Sequence, residues 1–367
     1  MAKKLSLFKP AGWLIVSILL LAGLVSCNQE LEPDPILALD EGWTKIVPGG
    51  EARCAHDTEF AFWVRPGSTN KLLVYFQGGG GCWDWESCQP GSGWYDQTVT
   101  DRDSPEPRGG ILDFNKEENP FADYHAVYVP SCTGDVYMGA NVETYEQDGQ
   151  DPIDVYHHGY HNLNTALEWT YDHVLAPESI FVTGCSAGSV GSIRAAPHLI
   201  NHYPEADFAQ LGDSLGFVFA QPEDINSIYG SHATFPEWIP AFSEFDPQAF
   251  QMADFYNAVA DAYPEVRFAQ FNTEKDRVQV RYHLAAGESE ASFPAALAGA
   301  ISDIHAESAN FSSFTADGNV HCIMPGQDFY HREIGGVLFR NWVADLAAGN
   351  GVDNVQCDNC LVDFSEN

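Results

Sequence analysis

Ser186 stands in Gly184-Cys185-Ser186-Ala187-Gly188, directly after the apolar run Ile180-Phe181-Val182-Thr183. A β-prone run ending in G-x-S-x-G, with a helix-compatible segment behind it, is the context in which a serine hydroxyl projects from a sharp turn. The flanking glycines permit the turn, and the N–H of the next residue faces the same space. Such a serine attacks an acyl carbon when a base takes its proton and a carboxylate fixes the base's tautomer. In this arrangement the order along the chain is serine, acid, histidine. Five histidines lie far enough downstream: His232, His283, His305, His321 and His331. His321, in the short loop Gly318-Asn319-Val320-His321-Cys322 before the last expected helix, occupies the usual place of the base. For the acid, Asp276 follows the expected strand Val266–Phe271, while Glu274 and Asp213 are rivals.

A second feature fits the same chemistry. Gly78-Gly79-Gly80-Gly81 follows the apolar run Lys71-Leu72-Leu73-Val74-Tyr75-Phe76. Backbone N–H groups reach a developing oxyanion only where side chains leave room, so Gly79, Gly80 and Ala187 are the expected donors. A phosphate cradle would need G-K-[ST] or a G-x-G-x-x-G opening a helix, and neither is present. Trp83, Trp85 and Trp94 lie close behind and are candidate sugar-stacking platforms, with loop packing the alternative. His157-His158-x-x-His161 does not read as a metal site, because adjacent histidines rarely face one ion.

The elements that would hold these residues alternate. Strands are expected at Phe60–Val64, Lys71–Phe76, Tyr124–Val129, Ile180–Cys185, Ala209–Asp213 and Val266–Phe271. A helix capped by Asn162 runs towards Val174, another follows Ser186, and a last one spans about Gly335 to Ala347. Continuous apolar strands alternating with helices indicate a mostly parallel sheet covered on both faces. Residues 78–119 form a long irregular excursion, and residues 205–265 are a candidate helical insertion or lid.

The chain opens with Lys3, Lys4 and Lys9, an apolar stretch from Ala11 to Val25, and Leu24-Val25-Ser26-Cys27. That is the layout of a secretory signal, and its ending resembles a bacterial lipobox. The expectation is a signal peptide over 1–26, a lipidated Cys27, an acidic tether over 27–40 and one domain over 41–367. With 17 Lys+Arg against 52 Asp+Glu, the formal net charge of −35 excludes nucleic acid as a natural partner. Contact with a membrane is expected only through the N-terminal lipid. Eight cysteines besides Cys27 in an exported chain invite disulfides of unknown connectivity; zinc is the rival for Cys357-x-x-Cys360.

Phe76-Gln77-Gly78-Gly79-Gly80-Gly81-Cys82, Cys88, Thr133-Gly134-Asp135, Gly184-Cys185-Ser186-Ala187-Gly188 and His321-Cys322 together resemble the pectin acetylesterase/Notum family. The resemblance implies an α/β-hydrolase fold and cofactor-free hydrolysis of carboxylic esters. It implies a triad of Ser186, Asp276 and His321, with oxyanion donors at Gly79, Gly80 and Ala187. O-acetylated polysaccharide is the implied substrate. The expected location is outside the cytoplasm, on an outer membrane or cell surface.

Overall fold

The computed structural model describes residues 34–106, 108–216, 225–246, 252–358 and 360. The expected signal segment and Cys27 lie outside them. Four strands come first: β1 (Thr44–Ile46), β2 (Phe62–Arg65), β3 (Lys71–Phe76) and β4 (His125–Val129). A separate antiparallel hairpin pairs β5 (Asn141–Tyr145) with β6 (Ile153–His157). Then follow β7 (Ser179–Cys185), β8 (Asp207–Asp213), β9 (Arg267–Thr273) and β10 (Phe311–Ala316). A two-residue hairpin of β11 (Glu333–Ile334) and β12 (Val337–Leu338) precedes the edge strand β13 (Val355–Gln356).

Nine of these strands build one sheet in the order β1-β2-β4-β3-β7-β8-β9-β10-β13. Pairing is antiparallel from β1 through β2 to β4, and parallel from β4 onward. Successive strand side chains point to opposite faces. Leu72, Val74 and Phe76 therefore enter one buried cluster and Leu73 and Tyr75 another. The first cluster is covered by helices Gly159–His173, Ala187–His202, Met252–Ala262 and Phe293–Glu307, the second by helix Phe339–Ala347. Both faces being dry explains why β3, β4 and β7 read as unbroken apolar runs. The doubly covered, mostly parallel sheet expected from the sequence is the architecture of the chain.

Local expectations failed in instructive ways. Asn162 does not cap its helix, which starts three residues earlier after His158. Its side chain is buried, accepting from the Arg53 N–H at 3.0 Å and donating to the Arg53 carbonyl at 2.9 Å. The last helix begins at Phe339 rather than Gly335, because Gly335 and Gly336, both at positive φ, turn the β11–β12 hairpin. Part of the stretch expected as tether packs on the domain, since Ile36 is buried in the first cluster and Asp34 accepts from the Leu175 N–H. Residues 207–213 belong to the central sheet, so a helical excursion begins only after Asp213.

Candidate active site

β7 leaves the sheet at Cys185, and Ser186 takes φ 55° and ψ −123°, a conformation that L-residues resist. The glycines of the motif have a packing reason. A Cβ on Gly188 would come within 2.0 Å of the Phe76 carbonyl oxygen, and one on Gly184 within 2.1 Å of the Gly188 carbonyl. Strand, helix start and β3 thus meet at distances only hydrogen side chains allow. The Ser186 N–H donates to the Asp213 carbonyl at 2.8 Å, fixing the turn to β8.

Asp276 is fully buried one turn after β9. Its Oδ1 accepts from the N–H groups of Val278 and Gln279 at 2.9 and 3.0 Å, capping helix Arg277–Ala285. Oδ2 accepts from Gln279 Nε2 at 3.1 Å and faces His321 Nδ1 at 2.8 Å. An acceptor at that distance assigns the Nδ1 proton and leaves Nε2 as the free lone pair. Asp276 is therefore the carboxylate on the histidine. Glu274 and Asp213 are not.

Backbone rungs bring acid and base loops together independently of that contact. Glu274 N–H donates to Ala316, Lys275 to Gly318 and Arg277 to Asn319, while Thr273 Oγ1 donates to the Val320 carbonyl. A disulfide joins Cys185 to Cys322, tying the residue before Ser186 to the residue after His321. Closing 137 residues of chain, it restricts the unfolded state by about 5 kcal/mol on the chain-entropy view. The other six cysteines pair as Cys54–Cys132, Cys82–Cys88 and Cys357–Cys360. The Cys357-x-x-Cys360 pair is a disulfide, in place of the rival zinc reading.

Ser186 and His321 line two adjoining cavities, with no hydrogen bond between them among the described contacts. Geometry of this kind commonly tightens only when substrate binds. The first cavity, about 300 Å³, is walled by apolar groups including Trp83, Val136, Leu215, Ile225, Val278 and Ala285. The second, about 420 Å³, presents Gln77, Asp96, Arg108 and Arg281 with Trp94. Asp96 is exposed at its mouth, yet surrounding protein and Asp103 push its carboxyl up to about 6, against the pull of Arg108. Tyr282 stands between the cavities: its hydroxyl donates to the Trp94 carbonyl at 2.6 Å and accepts from the Gly81 N–H at 3.1 Å.

Gly81 is thereby engaged, whereas no hydrogen bond from the N–H of Gly79, Gly80 or Ala187 occurs among the described residues. Gly80, at φ 71°, has no room for a side chain, since a Cβ would sit 2.1 Å from the Trp94 carbonyl oxygen. Trp83 and Trp94 pack edge-on at 5.3 Å, one in each cavity wall. Trp85 lines neither; its indole N–H donates to the Asp151 carbonyl at 3.0 Å. His157 sits in a closed packet, with Nδ1 at the Thr133 carbonyl and Nε2 at the Tyr145 hydroxyl.

Sequence reasoning missed Gln279, which orients Asp276 and ties it to Asn272, and Tyr282, which divides the cavities. Its place three residues past a capping aspartate is the signal that could have found Gln279.

Comparison with known proteins identifies the fold and the family. Crystal structures of the Wnt deacylase Notum from Drosophila, in two crystal forms, superpose with TM-scores of 0.61 and 0.59 at 17% and 14% identity. Each overlap covers 86% of this chain, and 95% or 96% of the other. The fold is thus that of an α/β hydrolase. Palmitoleoyl-protein carboxylesterase NOTUM from Schmidtea mediterranea is 31% identical over 155 residues. That stretch is 40% of this chain and spans only 28% of the relative. Residues 45–241 match the pectinacetylesterase family, and the chain belongs to that family.

Proposed function

We propose that the protein is a serine carboxylesterase in which Ser186 is nucleophile, His321 base and Asp276 orienting acid. One observation carries this reading: His321 Nδ1 is bound to the buried Asp276 carboxylate while its ring and Ser186 face the same cavities. Ser186 Oγ gives its proton to His321 Nε2 as it attacks the ester carbonyl. The carbonyl oxygen becomes an oxyanion beside the unengaged N–H groups of Gly79, Gly80 and Ala187. The imidazolium, held by Asp276, returns the proton to the departing alcohol. Water then repeats the sequence on the acyl-enzyme and releases the acid.

The substrate proposed first is O-acetylated polysaccharide such as pectin, supported by the family match and by the polar cavity with Trp94. In this reading the alcohol half sits in the polar cavity and the acyl group in the apolar one. Acetate release from acetylated pectin, xylan and mannan tests it, with Ser186→Ala as control. No release from any of the three would remove the polysaccharide reading.

A second reading is favoured by the apolar cavity, whose roughly 300 Å³ exceeds what an acetyl methyl fills. The planarian relative is a palmitoleoyl-protein carboxylesterase, and a longer acyl chain fits this wall. Initial rates on p-nitrophenyl acetate, butyrate and octanoate separate the two: octanoate faster than acetate selects the longer chain.

We also propose export as a lipoprotein acylated at Cys27, with the folded domain outside the cytoplasm. Four disulfides support an oxidising compartment. Metabolic labelling with a fatty acid, lost in Cys27→Ala, tests it.

A further inference from the structure

We propose that Asp213, together with Ser214, is a positioning residue that holds the loop carrying His321. The proposal rests on the serine-esterase reading and adds a residue that reading does not require. Beyond His321 the chain turns at Cys322, which takes φ 63°, and the N–H groups of Cys322, Ile323 and Met324 turn towards the end of β8. Buried donors need acceptors. Ser214 Oγ accepts from the Cys322 N–H at 2.9 Å, Asp213 Oδ1 from Ile323 at 3.3 Å and Oδ2 from Met324 at 2.8 Å. Ser214 in turn donates to Asp213 Oδ1 at 2.8 Å.

The pair is placed for this by the end of β8. Ser214 adopts φ 61°, rare for a residue with a side chain, and its N–H donates to the Phe271 carbonyl at 2.7 Å. That strained turn swings the hydroxyl under Cys322. Through its backbone carbonyl the same Asp213 accepts from the Ser186 N–H. One residue thus references nucleophile and base loop to the same strand end. The carboxylate is fully buried and forms no ion pair among the described residues, so the donors of the loop are its partners. Burial pushes its carboxyl up to about 6, opposed first by the Met324, Ser214 and Ile323 bonds and then by His321. Tyr75, from β3, also faces it. A purely structural carboxylate would cost the fold something with no return at the site. Here the cost falls where loop geometry decides rate.

The test compares wild type, Asp213→Asn, Ser214→Ala and the surface control Asp207→Asn on p-nitrophenyl acetate. Asparagine sets an amide N–H against a backbone N–H without changing volume. The expected result is a kcat lowered about 10- to 100-fold with KM within about twofold, a loss typical of slight misplacement. Ser214→Ala should lose less, and Asp207→Asn nothing. The low-field Nδ1 proton resonance of His321 should broaden or shift in Asp213→Asn, a change that a role in folding alone would not produce. If Asp213→Asn does not fold, Ser214→Ala carries the test by the same two readouts. Wild-type kcat and an unmoved resonance, in a preparation where Ser186→Ala is inactive, would overturn the proposal and leave the esterase intact. If Ser186→Ala keeps full rate, the esterase reading has failed instead, and the resonance alone decides whether Asp213 positions His321.

Discussion

Two regions of the molecule hold a buried aspartate and a histidine close to strand ends, and only one is open. Around Asp135, every acceptor is used inside the packet: Thr133 Oγ1 and the Tyr137 N–H bind Oδ1, and the Gly159 N–H binds Oδ2. Its neighbour His157 is equally closed, with Nδ1 on the Thr133 carbonyl at 3.0 Å and Nε2 on the Tyr145 hydroxyl at 2.8 Å. Around Asp276 the carboxylate serves both a helix cap and His321, whose second nitrogen has no hydrogen bond among the described residues. The ingredients match. What differs is one unspent nitrogen facing a cavity that also holds a strained serine. Chemistry needs that vacancy; stability needs its absence.

The contrast breaks most sharply at the histidines and the serine. Ser186→Ala or His321→Ala should lower kcat/KM by about three orders of magnitude or more with little change in melting temperature. His157→Gln should do the reverse, leaving kcat/KM within a few-fold while lowering stability. A His157 variant that loses activity without losing stability would dissolve the distinction. At the carboxylates, Asp276→Asn should cost about 10³- to 10⁴-fold in kcat. Asp135→Asn should instead lower the yield of folded protein.

Titration sharpens the same comparison. Burial pushes His157 down to about 3, so the folded protein keeps it neutral while an unfolded chain protonates near 6.5. Its contribution is complete above about pH 6.5 and lost as pH falls towards 3, on the order of 5 kcal/mol for this buried group. Asp213 works in the opposite sense. Its raised carboxyl takes up a proton on folding between about pH 4 and 6, so that contribution is present at the acid end and lost as pH rises through about 6. The size is on the order of 3 kcal/mol. Denaturant melts of His157→Gln and Asp213→Asn at pH 4, 5, 6 and 7 should therefore show opposite changes of slope. Parallel curves would contradict both assignments. The smallest effect belongs to the cavity wall: Trp83→Ala should change the acetate-to-octanoate preference by about 10-fold while leaving Trp85→Ala at the wild-type ratio.

Residues that work through local backbone geometry were readable in the sequence. Gly184 and Gly188 announce the turn because their packing admits nothing larger, and β3, β4 and β7 announce themselves as apolar runs. The hairpin of β5 and β6 went unread although Asn141–Tyr145 alternates and Asp148-Gly149 marks its turn. Short, half-exposed strands carry a weak signal. Asn162 misled because its partner, Arg53, is 109 residues away, and side-chain chemistry alone gives no hint of such a bond. The role of Asp213 was hidden for the same reason: its importance lies in two N–H groups, of Ile323 and Met324, in a loop more than a hundred residues downstream. Sequence nominated it as an acid, and only the fold separates an acid on the imidazole from an acid beneath its loop.

The central claim is that Ser186 carries the activated hydroxyl. Incubation with a fluorophosphonate, followed by peptide mass mapping, measures this directly. The account predicts a single adduct on the peptide containing Ser186, formed rapidly in wild type, slowly in His321→Ala and not at all in Ser186→Ala. An esterase-active preparation that stays unlabelled at Ser186, or is labelled on a different residue, would contradict it.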